Sequence, residues 1–144
     1  MNVVAYNALL FLSASFALWR GGAPERLVAA SFVCADMLTL ATLPPIAIRF
    51  RRIDPAILTI DLALLIILSA IALRANRYWT LLICGLHLAS VYAYLARVLD
   101  PAMPREALRF LLAYGAYLQV LTLAVATTRH RRRVARYGAD PAWS

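Results

Sequence analysis

Apolar residues in this chain fall into five blocks separated by short polar or proline-containing breaks, and each block is long enough to cross a bilayer. A hydrocarbon core of about 30 Å takes about 20 residues of helix, and the blocks cover roughly residues 3–19, 27–48, 56–73, 78–98 and 107–128. The pattern predicts an all-α integral membrane protein, a bundle of about five transmembrane helices over residues 1–128. A sixteen-residue tail, 129–144, follows it and opens on Arg129-His130-Arg131-Arg132-Arg133. Connections of a few to about ten residues leave no separate soluble domain within these residues.

The breaks carry helix signals. Asp-Pro-Ala recurs at Asp54-Pro55-Ala56, Asp100-Pro101-Ala102 and Asp140-Pro141-Ala142. Asp caps orphan amides and Pro fits the first helical turn, so the first triplet opens span three, while Pro104-Arg105-Glu106 supplies the start of span five. Pro44-Pro45 removes two amide donors near the end of span two, so the helix bends or stops there. Small residues at four-residue spacing, Ala30/Cys34, Ser31/Ala35, Gly85/Ala89 and Ala89/Ala93, suit close helix approach.

Composition agrees: 63% of residues are hydrophobic, against about 45–50% in soluble domains. All fifteen basic residues are Arg and none is Lys, which excludes a Schiff-base retinal or pyridoxal site. The net charge of +8 reads as topogenic anchoring and attraction to anionic lipid rather than nucleic-acid binding, because nearly every Arg lies close to a span end. Arg129, Arg131, Arg132, Arg133 and Arg136 are the headgroup-facing set. Assigning the tail to the cytoplasm places nine Arg inside and six outside, so the amino terminus is expected outside and the carboxyl terminus inside. Small size and the Lys-free, Ala- and Arg-rich composition point to a bacterial inner membrane.

Candidate chemistry lies inside the spans. An ionisable group in hydrocarbon costs about 2.5–3.5 kcal/mol on insertion scales, so Asp36, Asp61 and His87 each require something that offsets it. Asp36 and His87 both lie about 14 Å from the same face if spans two and four run in parallel, so they can pair where those helices touch. Asp61 lies about 8 Å below the opposite face, within reach of Arg49, Arg51 or Arg52. A structural or subunit contact and a proton or cation relay compete as uses for the three residues, with a ligand or cofactor pocket as the remaining one.

No cofactor or metal is expected. A bis-histidine haem needs a second chain, since His87 is the only histidine within a span. Cys34 and Cys84 lack zinc or redox spacing and read as small packing residues. The Tyr and Trp residues read as interfacial belt or core before they read as a quinone site. Hydrolase, zinc-protease, Walker and dinucleotide signatures are absent from the sequence, so an enzyme is not expected.

From Arg20 to about Trp79 the chain resembles the small F subunit of Mrp-type multisubunit cation/proton antiporters. Gly22-Ala23-Pro24-Glu25-Arg26-Leu27-Val28-Ala29 is similar to the family's motif between its first two helices, and Asp61-Leu62-Ala63-Leu64-Leu65 to its last-helix Asp and Leu-rich run. Ser31 stands where the family carries an acid, Asp36 follows five residues later, and this chain has two further spans. The resemblance implies a small subunit of a larger membrane complex, with Glu25, Arg26 and Asp61 as the carried-over positions. The expectation is therefore a non-enzymatic accessory or assembly subunit, partnered by other membrane subunits or by itself. The alternative is a proton- or cation-translocating component.

Overall fold

The computed structural model describes residues 3–42, 55–100 and 104–140. Five helices make up almost all of it: α1 Val3–Arg20, α2 Ala23–Thr42, α3 Pro55–Arg74, α4 Tyr78–Leu99 and α5 Arg105–Tyr137. Pro44-Pro45, Arg49, Arg51, Arg52, Asp54, Pro101, Ala102, Pro141 and Ala142 lie outside the described residues.

Helix starts follow the local chemistry. Pro55 opens α3 and Glu106 sits in the first turn of α5, where a missing amide donor and a negative charge are both tolerated. α2 begins at Ala23, four residues before the apolar run, because Pro24, Glu25 and Arg26 form its first turn. Runs of good helix formers carry α5 straight through the arginines. It is 33 residues long, or about 50 Å, against the roughly 30 Å of a bilayer core. The chain leaves it through Gly138 at φ 74°, a left-handed C-terminal cap that glycine adopts without steric cost.

In chain order the helices pack as a closed ring. α1 lies against α2 and α5, α2 against α3, α3 against α4, and α4 against α5, with α2 also touching α5 across the bundle. The connections Gly21-Gly22 and Ala75-Asn76-Arg77 are too short for anything but antiparallel neighbours. Each helix turns one stripe inward at helical spacing: Leu10, Ala14 and Ala17 on α1, Leu64, Leu68 and Ile71 on α3, Ile83, His87 and Val91 on α4.

Outside, the pattern is inverted relative to a soluble bundle. Phe11, Leu12, Ile66, Leu81, Leu88 and Leu121 are all exposed, a continuous apolar exterior that water would not tolerate. Four helices, α1, α3, α4 and α5, are long and apolar enough to cross a membrane. α2 has the length but carries Glu25, Arg26 and Asp36. Close approach of the helices relies on Ala14, Ala17, Ala29 and Ala126 in the core, since lipid gives little hydrophobic drive for helix association. Of the small residues singled out by spacing, Ala30, Cys34, Gly85 and Ala89 are exposed, while Ala93 is buried. A Cβ on Gly85 would meet nothing within 4 Å.

Candidate functional site

Polar side chains gather in two layers. At a rise of about 1.5 Å per residue, Tyr6, Asp36 and Asp61 each lie about 20 Å along their helices from the end defined by Arg20, Ala23 and Arg74. Most arginines sit at that end, the basic end of the bundle.

In the far layer His87 is 5% exposed, and its Nε2–H donates to the backbone carbonyl of Asp61 at 3.0 Å. A carbonyl only accepts, so Nε2 carries a proton and the bond ties α4 to α3. The Asp61 carboxyl lies within electrostatic reach of the His87 ring and of Tyr6 and Tyr94. Tyr6 packs edge-on against Tyr117, centroids 5.7 Å apart, and also faces Asp36. Asp36 Oδ2 is inaccessible to solvent and has no hydrogen-bond partner among the described residues.

The sequence-level pairing of Asp36 with His87 is not made. α2 and α4 do not pack against one another, because α3 sits between them in the ring. His87 turns sideways to α3 instead. Asp36 and Asp61 share a level that spacing from their separate span starts did not indicate.

Between the layers the bundle is mostly apolar, with the buried Ser13 the polar exception on α1. Leu10, Leu68, Ile83 and Leu123 are each at most 2% exposed, with Val28, Ala29 and Val120 at 1% or less beside them. Their positions put this plug at about 8–15 Å from the basic end. Two hydroxyls nearby are spent on their own helices: Thr127 Oγ1 donates to Leu123 O at 2.9 Å and Ser69 Oγ to Leu65 O at 2.7 Å. Cys84 Sγ lies 3.4 Å from Ser69 Oγ and joins α4 to α3. Cys34, read from sequence as a packing residue, is exposed.

The second layer lies at the basic end and centres on Asp140. Arg133 grips its carboxylate as a fork, Nε to Oδ1 and Nη2 to Oδ2, both at 3.0 Å. His130 Nδ1–H donates to Oδ2 at 2.6 Å and Arg77 Nη2 to Oδ1 at 2.5 Å. The Asp140 side chain is 5% exposed. Burial opposes its ionisation, but the hydrogen bonds from Arg133, Arg77 and His130 and the charge of Arg77 outweigh that. The carboxyl is held well below the usual carboxylate range.

Glycine at position 22 makes room for this layer. A Cβ there would come 2.8 Å from His130 Cε1 and 3.0 Å from Glu25 Oε2, closer than side-chain carbons approach. Glu25 is 1% exposed, and its Oε2 has no hydrogen-bond partner among the described residues. Arg26, its neighbour in the motif, points outward.

Spacing alone missed Asp140 as a site residue. The signal was the third Asp-Pro-Ala triplet, two residues past a glycine and following a run of arginines. Of those arginines, Arg133 enters the cluster, whereas Arg129, Arg131, Arg132 and Arg136 are exposed. Arg131 lies over the Phe16 ring at 5.9 Å and Arg20 over Trp19 at 4.6 Å. Among the described residues no group of three or more His, Cys, Asp or Glu side chains is placed to hold a metal ion. Comparison with protein-family models, with curated proteins and with solved structures finds no match to this chain.

Proposed function

We propose that this chain is a small polytopic protein of a bacterial inner membrane, with all five helices crossing the bilayer. In that membrane it acts as a non-enzymatic accessory or assembly subunit of a larger membrane complex. The observation that carries the reading is the apolar plug. Leu10, Leu68, Ile83 and Leu123 make the interior between the two polar layers largely apolar, with Ser13 a buried hydroxyl at that level, and such an interior offers a proton or cation few ligands.

The far layer then serves assembly. His87 locks α4 onto α3 through a carbonyl, a register bond of a kind worth about 0.6–1.7 kcal/mol between membrane helices. Asp36 Oδ2 has no donor among the described residues, which suits a donor from a neighbouring subunit, since a buried carboxylate left unpaired is costly. The outward Gly85 and Ala89 leave a shallow strip on α4 that suits a second helix. The resemblance of Glu25, Arg26 and Asp61 to the Mrp F-subunit motifs supports the same class. Amino terminus outside and carboxyl terminus inside follows from the nine-to-six division of arginines.

A second reading, a proton- or cation-translocating component, draws on the meeting of Asp36, Asp61, Tyr6 and Tyr94 at one level of the bundle. Asp36→Asn and His87→Ala separate the two. Under the accessory reading both lower recovery of the chain in its complex and leave ion flux through proteoliposomes of the purified chain at background. If both assemble normally and abolish a measurable flux, the accessory reading fails.

A further inference from the structure

Among the described residues the basic end bears seven exposed arginines, Arg20, Arg26, Arg74, Arg129, Arg131, Arg132 and Arg136, and no exposed acid. Its two acids are enclosed, Glu25 at 1% exposure and Asp140 at 5%. Asp140 is held from outside the helix that supplies most of its donors. The chain turns at Gly138, whose N–H donates to Val134 O, and Tyr137, Gly138 and Ala139 are all exposed, so beyond that cap the described tail is fastened through the Asp140 carboxylate. Four donors from three residues meet two oxygens, each oxygen accepting two of them. A phosphodiester offers the same pair of unesterified oxygens, and the arginine fork matches carboxylate and phosphate equally.

We propose that Arg77, His130 and Arg133 form a phosphate-binding site for the headgroup of an anionic phospholipid, which the tail's own Asp140 occupies in this structure. The inference rests on the bilayer placement of the bundle and not on its accessory role. Helix ends at Arg20, Ala23, Arg74 and Tyr78 put the site at headgroup level. The exposed rings of Trp19 and Tyr78 mark that level. Arg77 and Arg133 keep 18% and 31% of their side chains exposed, so a headgroup can approach without unfolding the bundle. In such a positive field a lipid phosphate competes with Asp140 on charge, while Asp140 competes through its tether. The tail is then a lid that anionic lipid opens, freeing residues 138–140 for other contacts.

The test uses the full-length chain in mild detergent, titrated with phosphatidylglycerol or phosphatidylcholine and read by native mass spectrometry. Asp140→Asn is the lead variant, because it removes the competing charge yet keeps a carbonyl oxygen for the arginines. It should bind phosphatidylglycerol about tenfold more tightly than the unmodified chain, the factor expected if the tail closes the site about 90% of the time. Adding Arg133→Gln should cancel that gain, whereas adding Arg132→Gln, outside the cluster, should leave it.

On the unmodified chain, hydrogen exchange over residues 136–140 should rise with phosphatidylglycerol and not with phosphatidylcholine. Equal affinity in Asp140→Asn and the unmodified chain, or a gain that survives Arg133→Gln, overturns the site. Displacement of the bound lipid by millimolar inorganic phosphate overturns the lipid headgroup as its occupant.

Discussion

Two carboxylates about 20 Å apart along this bundle live under opposite conditions. Asp140, at the basic end and next to water, has four hydrogen bonds to its two oxygens. Asp36, in the far layer with Tyr6, has an enclosed oxygen with none among the described residues. If internal stability alone had placed the donors, they would surround Asp36, where desolvation is more costly. Their placement at Asp140 fastens the described tail, while Asp36 Oδ2 has no donor among the described residues. The plug between them keeps the two chemistries apart.

Breaking the plug has the largest expected effect. Leu123→Ala removes a fully enclosed side chain and should destabilise the bundle by about 2–5 kcal/mol, read as the shift in its unfolding midpoint on titration with a denaturing detergent. A loss under 1 kcal/mol would mean that the helices collapse around the gap and that the plug is loosely packed.

Gly22→Ala comes next and strikes the basic end. The added carbon must displace either His130, which Asp140 holds, or Glu25. Overpacking of this kind should cost about 1–3 kcal/mol, with increased tryptic cleavage among Arg131–Arg136 as the tail loosens. Unchanged cleavage would show that His130 is not a fixed part of the cluster.

Acid sharpens the comparison at the same site. Asp140 is depressed in the folded protein, so its contribution is fully present above the pKa of an unfolded Asp, about 3.9, and is lost as pH falls toward the lower folded value. Tail protection against hydrogen exchange should therefore be the same at pH 7 and pH 5 and fall only below about pH 4. Arg77 and Arg133 do not titrate there. Loss of protection by pH 5 would remove the Asp140 clamp as the element that holds the tail.

The smallest effect on the chain itself is expected on the outer face of α4. Gly85→Ala fills open space and should stabilise the isolated bundle by about 0.5–1 kcal/mol through helix propensity. If a partner helix lies on that strip, the same change lowers co-purification. Equal or better recovery of the complex would remove Gly85 and Ala89 from the interface.

Much of this fold is legible in the sequence, because apolar block length and helix-start chemistry act locally. Pro55 and Glu106 open helices as their positions suggest. What spacing does not carry is rotation about the helix axis and order around the ring. Asp36 and His87 have readable depths, yet α3 stands between their helices and takes the histidine bond itself. The outward turn of Ala30, Cys34, Gly85 and Ala89 has the same cause, since close-packing spacing does not say which neighbour is approached. Asp140 was hidden for another reason. Its partner Arg77 is 63 positions away, and no local pattern in a tail of arginines predicts which one turns inward.

The function proposed above makes the chain part of a larger membrane assembly and a non-conductor on its own. The most direct measurement is mass-spectrometric identification of everything that co-purifies with the tagged protein after mild-detergent extraction from its native membrane and size separation. Stoichiometric recovery with the subunits of a larger membrane complex is expected, reduced in Asp36→Asn. Recovery of the chain alone or as a homo-oligomer, with ion flux on reconstitution that Asp36→Asn abolishes, would contradict it.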